Sequence, residues 1–284
     1  MRQLRAPAKI NLSLKVLGRQ PDGYHQLESL FAPLKLADEV IVARRARGGV
    51  ILSCPGSDLG ADETNLAWRA GAAFIQAARP GWGLSITLFK EIPIAAGLGG
   101  GSSDAAAVLK AANDLAGRPF SGSELEELGL SLGADVPFFI QARPALVRGM
   151  GQILTPAAMP PFHCLLINPG FEVSTAWVFH QLRKPLTSPV GLDMVTPLRV
   201  SSFKDLLDLG NDLEEVVEQA WPVVRRLRLS LLETGAELAR MSGSGPTVFG
   251  LFDRLDRAER ARRRIGEEEG WRVILTEAAS SVGV

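Results

Sequence analysis

Residues 97–104 of this 284-residue chain have the composition of a phosphate-binding loop. Their sequence, Gly-Leu-Gly-Gly-Gly-Ser-Ser-Asp, lies between a predicted strand and a predicted Ala-rich helix. Glycines allow a ligand to approach the backbone amides closely, and the first turn of a helix adds N–H groups and the positive end of its dipole. A flexible turn before an ordinary helix cap would have a similar composition. Four glycines at this junction favour an anion-binding loop, with Ser102 or Ser103 capping the helix.

Other common nucleotide and hydrolase motifs are absent from the sequence. None of the lysines follows a glycine, which excludes a Walker A loop, and Ser102 stands where a dinucleotide-binding loop needs its third glycine. A G-x-S-x-G nucleophile motif and an H-E-x-x-H zinc motif are also missing. With 3 histidines, the chain is poorly equipped for a metallohydrolase or a Ser-His-Asp site. If residues 97–104 bind phosphate, the protein therefore belongs to a class other than Walker A nucleotidases, dinucleotide-binding enzymes and these hydrolases.

Lys9 and Asp135 are charged residues whose chemistry suits phosphoryl transfer. Lys9 lies in the alternating segment 8–16, which predicts a half-buried strand with Lys9 and Asn11 on its polar face. A compact ammonium group suits a phosphoryl oxygen or a carboxylate, and Asp135 could accept a hydroxyl proton. Taken singly, each residue has a simpler interpretation: a solvent-facing strand lysine, and a turn residue in a Gly- and Pro-containing segment.

Two further segments could contact a substrate. Ser242-Gly243-Ser244-Gly245-Pro246 precedes a predicted strand, so its backbone amides could face a phosphate or could simply turn the chain. Tyr24 is the single tyrosine of the chain and is followed by His25. This pair could stack on a base and hydrogen-bond it, although loop packing explains either residue alone.

Composition limits the partners and the surroundings of the protein. Lys+Arg and Asp+Glu number 31 each, and this balance argues against a broad nucleic-acid-binding or membrane-binding surface but not against a local basic pocket. Cys54 and Cys164 form no metal or disulfide spacing, which favours a reducing compartment. The uncharged run 149–171 contains four prolines, so we predict no membrane helix there.

The hydrophobic pattern predicts an α+β chain with two intimately joined lobes. We place the lobes at 1–155 and 156–284, with the boundary near Pro156–Pro161. The predicted strands are 8–16, 31–36, 39–43, 50–53, 84–89, a segment after Pro137, 164–168, 247–252 and 271–276. The predicted helices are 65–78, 102–115, 123–132, 201–209, 213–219, 223–238 and 256–267.

Five segments, in this order, resemble the GHMP superfamily of galactose, homoserine, mevalonate and phosphomevalonate kinases. The resemblance extends from Pro7 to about Phe252. The glycine loop and the Ser-Gly-Ser-Gly segment mark the superfamily, whereas Gly-Tyr-His and Gly-Ala-Asp-Val-Pro narrow the resemblance to members acting on a cytidine-diphosphate derivative of methylerythritol. The segments are Pro7–Leu12, Asp22–His25, Pro93–Ser103, Gly133–Phe138 and Met241–Thr247.

The resemblance implies a two-lobed α+β kinase with its active site in the cleft between the lobes, using ATP with Mg²⁺. Lys9 and Asp135 would be the catalytic pair, and the acceptor would be the 2-hydroxyl of the methylerythritol moiety. The pathway would be methylerythritol phosphate isoprenoid synthesis in the bacterial cytoplasm, without nucleic-acid or membrane partners. ATP would lie along Pro93, Ile94, Ala95, Ala96, Gly97, Leu98, Gly99, Gly100, Gly101, Ser102 and Ser103. Substrate would contact Asn11, Tyr24, His25, Thr175, Phe179, Gly243 and Ser244, with Phe179 as the stacking face opposite Tyr24 and His25.

Two departures from the pattern leave the metal ligands unassigned. Asp104 stands where members often have Asn, and Gln152 stands where they often have Glu. Two alternatives also remain open, another superfamily kinase acting on a different small alcohol and a non-catalytic nucleotide-binding module. The adjacent Tyr24 and His25 argue against the first, and the presence of both Lys9 and Asp135 argues against the second.

Overall fold

A computed structural model describes residues 1–19, 25–182, 198–266 and 270–279. Contacts group the chain into two compact units, each built from separated stretches of sequence. The first unit contains 1–8, 36–94 and 99–142, and the second contains 9–35, 95–98 and 143–284. The sequence-based division into 1–155 and 156–284 stays a prediction, because these units follow contacts rather than one cut along the chain.

Two long strands open the chain, β1 (Arg2–Arg19) and β2 (His25–Arg45). β2 joins two strands that the sequence predicted as separate, and it pairs with β1. The segment 8–16 is a strand as predicted, but the prediction that it is only half-buried was wrong. The side chains of Lys9, Asn11 and Ser13 are buried together with the apolar face. Alternation reports only that one face is apolar, and here other segments cover the polar face as well.

In the first unit, the second part of β2 pairs antiparallel with β4 (Gly83–Phe89), which pairs parallel with β3 (Val50–Ser53). Four helices complete the unit, and α1 packs along α2 and against β3. Asn65 caps α1 by accepting a hydrogen bond from the Ala67 amide at 2.9 Å, and Ser121 begins α3 with a capping box. The helices are α1 (Leu66–Ala78), α2 (Gly100–Leu115), α3 (Gly122–Leu130) and α4 (Val136–Gln141).

The strand predicted after Pro137 was wrong, because this segment is helix α4. Proline suits the first turn of a helix, where its missing N–H costs no hydrogen bond. Phe138 and Phe139 are both fully buried, so the segment has no alternating exposed face. A short apolar run of this kind does not distinguish a buried strand from a buried helix.

The second unit holds an antiparallel four-stranded sheet in the order β11–β7–β10–β9, with Val248 opposite both Ile167 and Met241. The first part of β2 also pairs with β5, which pairs with β6. The strands are β5 (Ala145–Gly149), β6 (Ile153–Ala158), β7 (His163–Asn168), β8 (Leu198–Arg199), β9 (Leu238–Met241), β10 (Val248–Phe252) and β11 (Arg272–Glu277). The helices are α5 (Thr175–Gln181), α6 (Glu214–Ala220), α7 (Pro222–Glu233) and α8 (Leu255–Ile265).

Two helices of this unit are shorter than predicted. The segment 201–209 forms only the 3₁₀ helix Phe203–Leu206. The helix predicted over 223–238 ends at Glu233, because Gly235 adopts a positive φ of 97° and the chain turns into β9.

Across the described ranges, no helix is both long and apolar enough to cross a membrane.

Candidate active site

The glycine loop leads from the end of β4 to the start of α2. Ala95, Gly97 and Gly99 have positive φ angles of 50°, 75° and 72°. Gly99 occupies the N-cap position of α2, and the first intrahelical hydrogen bond runs from the Ser103 amide to the Gly99 carbonyl at 2.9 Å. The prediction that Ser102 or Ser103 caps the helix was therefore wrong, since both lie in its first turn. The backbone amides that precede Ser103 at the helix start have no intrahelical acceptor, so they are the amides that a helix leaves available to an anion.

The space in front of this helix start is open at Gly101. In the described part of the chain, nothing lies within 4 Å of an ideal Cβ built on this glycine. A phosphate could thus approach the backbone there, at the end of the helix that carries positive potential.

The middle of the loop is attached to β1 and to the second glycine loop. The Lys9 amide donates to the Leu98 carbonyl at 2.9 Å, and the Ser242 hydroxyl donates to the Gly97 carbonyl, also at 2.9 Å. An ideal Cβ on Gly97 would lie 2.3 Å from the Ser242 carbonyl oxygen. Position 97 therefore requires glycine for two reasons, its positive φ angle and the close approach of the Ser242 carbonyl.

Lys9 and Asn11 form the centre of a buried polar network. Lys9 is 4% exposed, its Nζ donates to Asn11 Oδ1 at 2.6 Å, and it lies 4.5 Å from the centroid of the Phe31 ring. Asn11 also donates through Nδ2 to Ser29 Oγ at 2.9 Å and through its amide to Ser242 Oγ at 3.2 Å. A buried ammonium group is costly to desolvate, so its retention here points to a role for its charge.

Ser242 and Asn211 are site residues that the sequence analysis did not assign, although Ser242 begins the second glycine segment named there. Ser242 is fully buried and links Asn11 to the glycine loop. Asn211 Nδ2 donates to the carbonyls of Met241 and Gly243 at 2.9 and 2.8 Å, which fixes the second glycine loop. The Ser-Gly-Ser-Gly motif directed attention to Gly243 and Ser244, but the serine that contacts the first loop is the preceding one.

The predicted substrate residues that the structure describes lie in three pairs within the second unit. Thr175 and Ser244 share a hydrogen bond between their hydroxyl groups at 2.7 Å, and Gly243 would place a Cβ 3.2 Å from Asn11 Oδ1. His25 stacks on Phe179, with ring centroids 4.8 Å apart.

The His25–Phe179 stack limits where a base could bind. A base inserted between two rings needs about 7 Å, twice a normal contact distance. The 4.8 Å separation means that a base would stack on an outer face of this pair. Tyr24 lies outside the described residues.

Asp135 lies at the N-cap position of α4 and is partly buried. Close packing fixes this helix, because an ideal Cβ on Gly129 would be 2.8 Å from Val136 Cγ1. Lys110 Nζ, from α2, donates to the Phe139 carbonyl at 3.1 Å. The turn that precedes Asp135 passes beside the first turn of α2, since a Cβ on Gly133 would lie 3.9 Å from the Ser102 hydroxyl.

Each unit thus assembles a part of the predicted site. The second unit brings Lys9 and Asn11 together with Gly97 and the second glycine loop. The first unit brings the turn before Asp135 close to the start of α2. The catalytic pairing of Lys9 with Asp135 stays a prediction.

Asp104 is buried and bound to a lysine. Its Oδ2 accepts from Lys90 Nζ at 2.7 Å, and Lys90 also donates to Asp38 Oδ2. Burial raises the pKa of Asp104 to about 7, Lys90 opposes this rise and the Asp38 charge adds to it. Within the described ranges, no group of three His, Cys, Asp or Glu side chains is placed to hold a metal ion. The observed contact of the Asp104 side chain is its ion pair with Lys90.

Gln152, the second departure from the family pattern, closes the turn between β5 and β6. Its Oε1 accepts a hydrogen bond from the Met150 amide at 2.7 Å. Gly149, with a positive φ of 73°, leaves room for the Gln152 side chain, which would otherwise lie 2.8 Å from a Cβ at position 149. This glutamine therefore has a structural role in the turn.

The chain matches two family models that together cover more than half of its length. Residues 65–143 match the model described as GHMP kinases N terminal domain, and residues 198–270 match GHMP kinases C terminal. A solved homoserine kinase from Cytophaga hutchinsonii has the same fold, with a TM-score of 0.73 at 19% identity over 98% of this chain and 94% of that chain. The class predicted from the sequence, a GHMP kinase, is confirmed.

Similar proteins define the family within this class. A 4-diphosphocytidyl-2-C-methyl-D-erythritol kinase of Geobacter metallireducens is 42% identical, over 97% of this chain and 98% of its own. One of Pelobacter propionicus is 44% identical, over 96% and 98%. A crystal structure of 4-(cytidine 5'-diphospho)-2C-methyl-D-erythritol kinase is 35% identical, with a TM-score of 0.78 over 98% of this chain and 100% of that one. The chain belongs to the 4-diphosphocytidyl-2-C-methyl-D-erythritol kinase family.

Replacement of two loop glycines by alanine should separate their roles. Gly97→Ala should lower the free energy of unfolding by about 1–3 kcal/mol, because alanine is strained at this φ and meets the Ser242 carbonyl. Gly101→Ala should leave stability unchanged or slightly higher, since its methyl group enters open space in a helix. It should nevertheless weaken nucleotide binding by occupying the phosphate position. Chemical denaturation and titration with a non-hydrolysable ATP analogue would measure both effects, and unaltered analogue binding by Gly101→Ala would contradict the phosphate assignment.

Proposed function

We propose that this protein transfers the γ-phosphoryl group of ATP to the 2-hydroxyl of 4-diphosphocytidyl-2-C-methyl-D-erythritol, giving the 2-phosphate and ADP. The observation that carries the proposal is the buried hydrogen-bond network of Lys9, Asn11 and Ser242. It connects β1, which carries the Lys9 ammonium group, to the glycine loop at Gly97. The family of the chain supports the choice of substrate.

We also propose the bacterial cytoplasm as the location, since the relatives named above come from bacteria.

The glycine loop would bind the nucleotide. Phosphoryl transfer depends on positioning and on compensation of charge more than on covalent help from the protein. The amides of residues 99–102 and the dipole of α2 would hold ATP phosphates at the open surface beside Gly101. Mg²⁺ would accompany the nucleotide and shield its phosphates, with phosphate and water oxygens as its main ligands.

Lys9 and Asp135 would carry the chemistry. The acceptor oxygen attacks the γ-phosphorus, the bond between that phosphorus and the β-phosphate oxygen breaks, and ADP leaves. Asp135 would take the proton from the 2-hydroxyl as the new bond forms. Lys9, held by Asn11 at 2.6 Å, would stabilise negative charge on the transferred group without reorganisation.

The remaining predicted residues would bind the acceptor. Gly243, Ser244 and Thr175 offer hydroxyl and amide donors, which suit the polar oxygens of a diphosphate or a polyol. Tyr24 would complete a cytosine site, with a base stacked on the outer face of the His25–Phe179 pair.

A panel of acceptors tests the proposed substrate. The protein is incubated with ATP and Mg²⁺ together with 4-diphosphocytidyl-2-C-methyl-D-erythritol, mevalonate, homoserine or galactose, and ADP release is measured. We expect turnover with the cytidine-diphosphate compound only. Turnover only with another alcohol would assign a different kinase activity, and binding of ATP without turnover of any acceptor would support a nucleotide-binding module.

A further inference from the structure

Asp38, Lys90 and Asp104 form a buried ion cluster that joins the two ends of the glycine loop, and we call these three residues the loop clamp. We propose that the loop clamp sets the affinity for the nucleotide by fixing the start of the loop relative to its end. The inference rests on the proposed function, in which the loop binds ATP phosphates. We assign the three as positioning residues, because their charged groups are buried and bound to one another.

Asp38, from β2, fixes the start of the loop. Its Oδ1 accepts hydrogen bonds from the amides of Glu91 and Ile92 at 2.6 and 2.8 Å, directly before the loop begins at Pro93. Its Oδ2 accepts from Lys90 Nζ. All the hydrogen-bonding oxygens of this fully buried carboxylate are thereby used on the segment that leads into the loop.

Lys90 connects this segment to the end of the loop. Its Nζ also donates to Asp104 Oδ2 at 2.7 Å, and Asp104 is the fifth residue of α2. An ideal Cβ on Gly100 would lie only 3.3 Å from Lys90 Nζ. The ammonium group therefore lies directly beside the first residue of the helix, whose amide is one of those proposed to face phosphate.

Neither stability nor long-range electrostatics accounts for the loop clamp. A buried ion cluster rarely adds net stability compared with apolar residues of the same size, because desolvation offsets the attraction. Two carboxylates and one ammonium group give no net positive charge, whether or not Asp104 is protonated, so the cluster cannot attract ATP by its charge. What it does supply is a fixed distance between the two ends of a glycine-rich loop that has few side chains of its own to hold it.

Variants of the loop clamp test this proposal through nucleotide affinity. Binding of a non-hydrolysable ATP analogue is measured by calorimetry without any acceptor, so the result does not depend on which alcohol is phosphorylated. Lys90→Met should weaken analogue binding about 10-fold or more, equal to about 1.4 kcal/mol. Asp104→Ala should have a smaller effect in the same direction, and Asp104→Asn, which keeps an oxygen for Lys90, should restore binding to within about 3-fold of the original.

Kinetics and a remote control separate positioning from loss of stability. With the active kinase, KM for ATP should rise in Lys90→Met and Asp104→Ala while KM for the acceptor stays constant. Glu218→Gln, which removes a partner of Arg228 in the second unit, should leave KM for ATP unchanged. Should Lys90→Met fail to fold, Asp104→Ala retains the Lys90–Asp38 pair and decides the question. Folded variants with lower melting temperatures but unchanged analogue affinity would overturn the proposal.

Discussion

Asp135→Asn is expected to lower kcat by about 10²–10⁴-fold, the usual contribution of a positioned general base. The amide has nearly the shape of the carboxylate but cannot accept the proton of the attacking hydroxyl. Asparagine is also a favourable N-cap residue, so α4 should keep its start. KM for ATP should change little, because the phosphates are assigned to the glycine loop.

The assay for Asp135→Asn measures ADP release at saturating ATP and acceptor, with thermal unfolding recorded in parallel. Asp256→Asn is the matched control, since Asp256 lies in the first turn of α8 and pairs only with Arg254 and Arg260 among the described residues. It should turn over like the original protein. Near-normal turnover by Asp135→Asn would remove the base assignment, whatever the substrate.

The glycine loop was predictable because its composition carries its own conformational signal. Gly97 and Gly99 have the positive φ angles that glycine tolerates best, and the following Ala-rich run forms α2 as expected. The capping prediction failed for a related reason. A glycine in the left-handed conformation served as the N-cap, which moved both serines into the helix.

The burial of the polar face of β1 could not be predicted from its own alternation. That face is covered by residues far away in sequence, such as Ser29 and Ser242, whose hydrogen bonds to Asn11 span 18 and 231 positions. The same limit applies to the loop clamp. Asp38 and Lys90 are 52 residues apart, so no local pattern relates them. Hydrophobic periodicity predicts which face of a strand or helix is apolar, whereas the residues that cover each face depend on the tertiary fold.

Lys9→Met is expected to lower kcat by about 10²-fold or more, because it removes a preorganised positive charge from a buried position. Methionine has a similar length and brings no charge that needs solvation, so the fold should be retained. Asn11 loses its Lys9 partner but keeps the hydrogen bonds to Ser29 and Ser242. Lys15→Met is the matched control, since Lys15 lies on the same strand and pairs with Asp212 at 3.4 Å.

A double variant decides whether Lys9 and Asp135 act as one unit. Residues that cooperate in one chemical step show non-additive losses, so Lys9→Met with Asp135→Asn should cost little more in kcat than the worse single variant. Independent residues would give the product of the two single losses. Steady-state kinetics of the four proteins, with analogue binding to confirm an intact nucleotide site, makes the comparison. A multiplicative loss in kcat would show that Lys9 and Asp135 contribute independently to the transition state, whereas a raised KM with unchanged kcat in Lys9→Met would restrict Lys9 to binding.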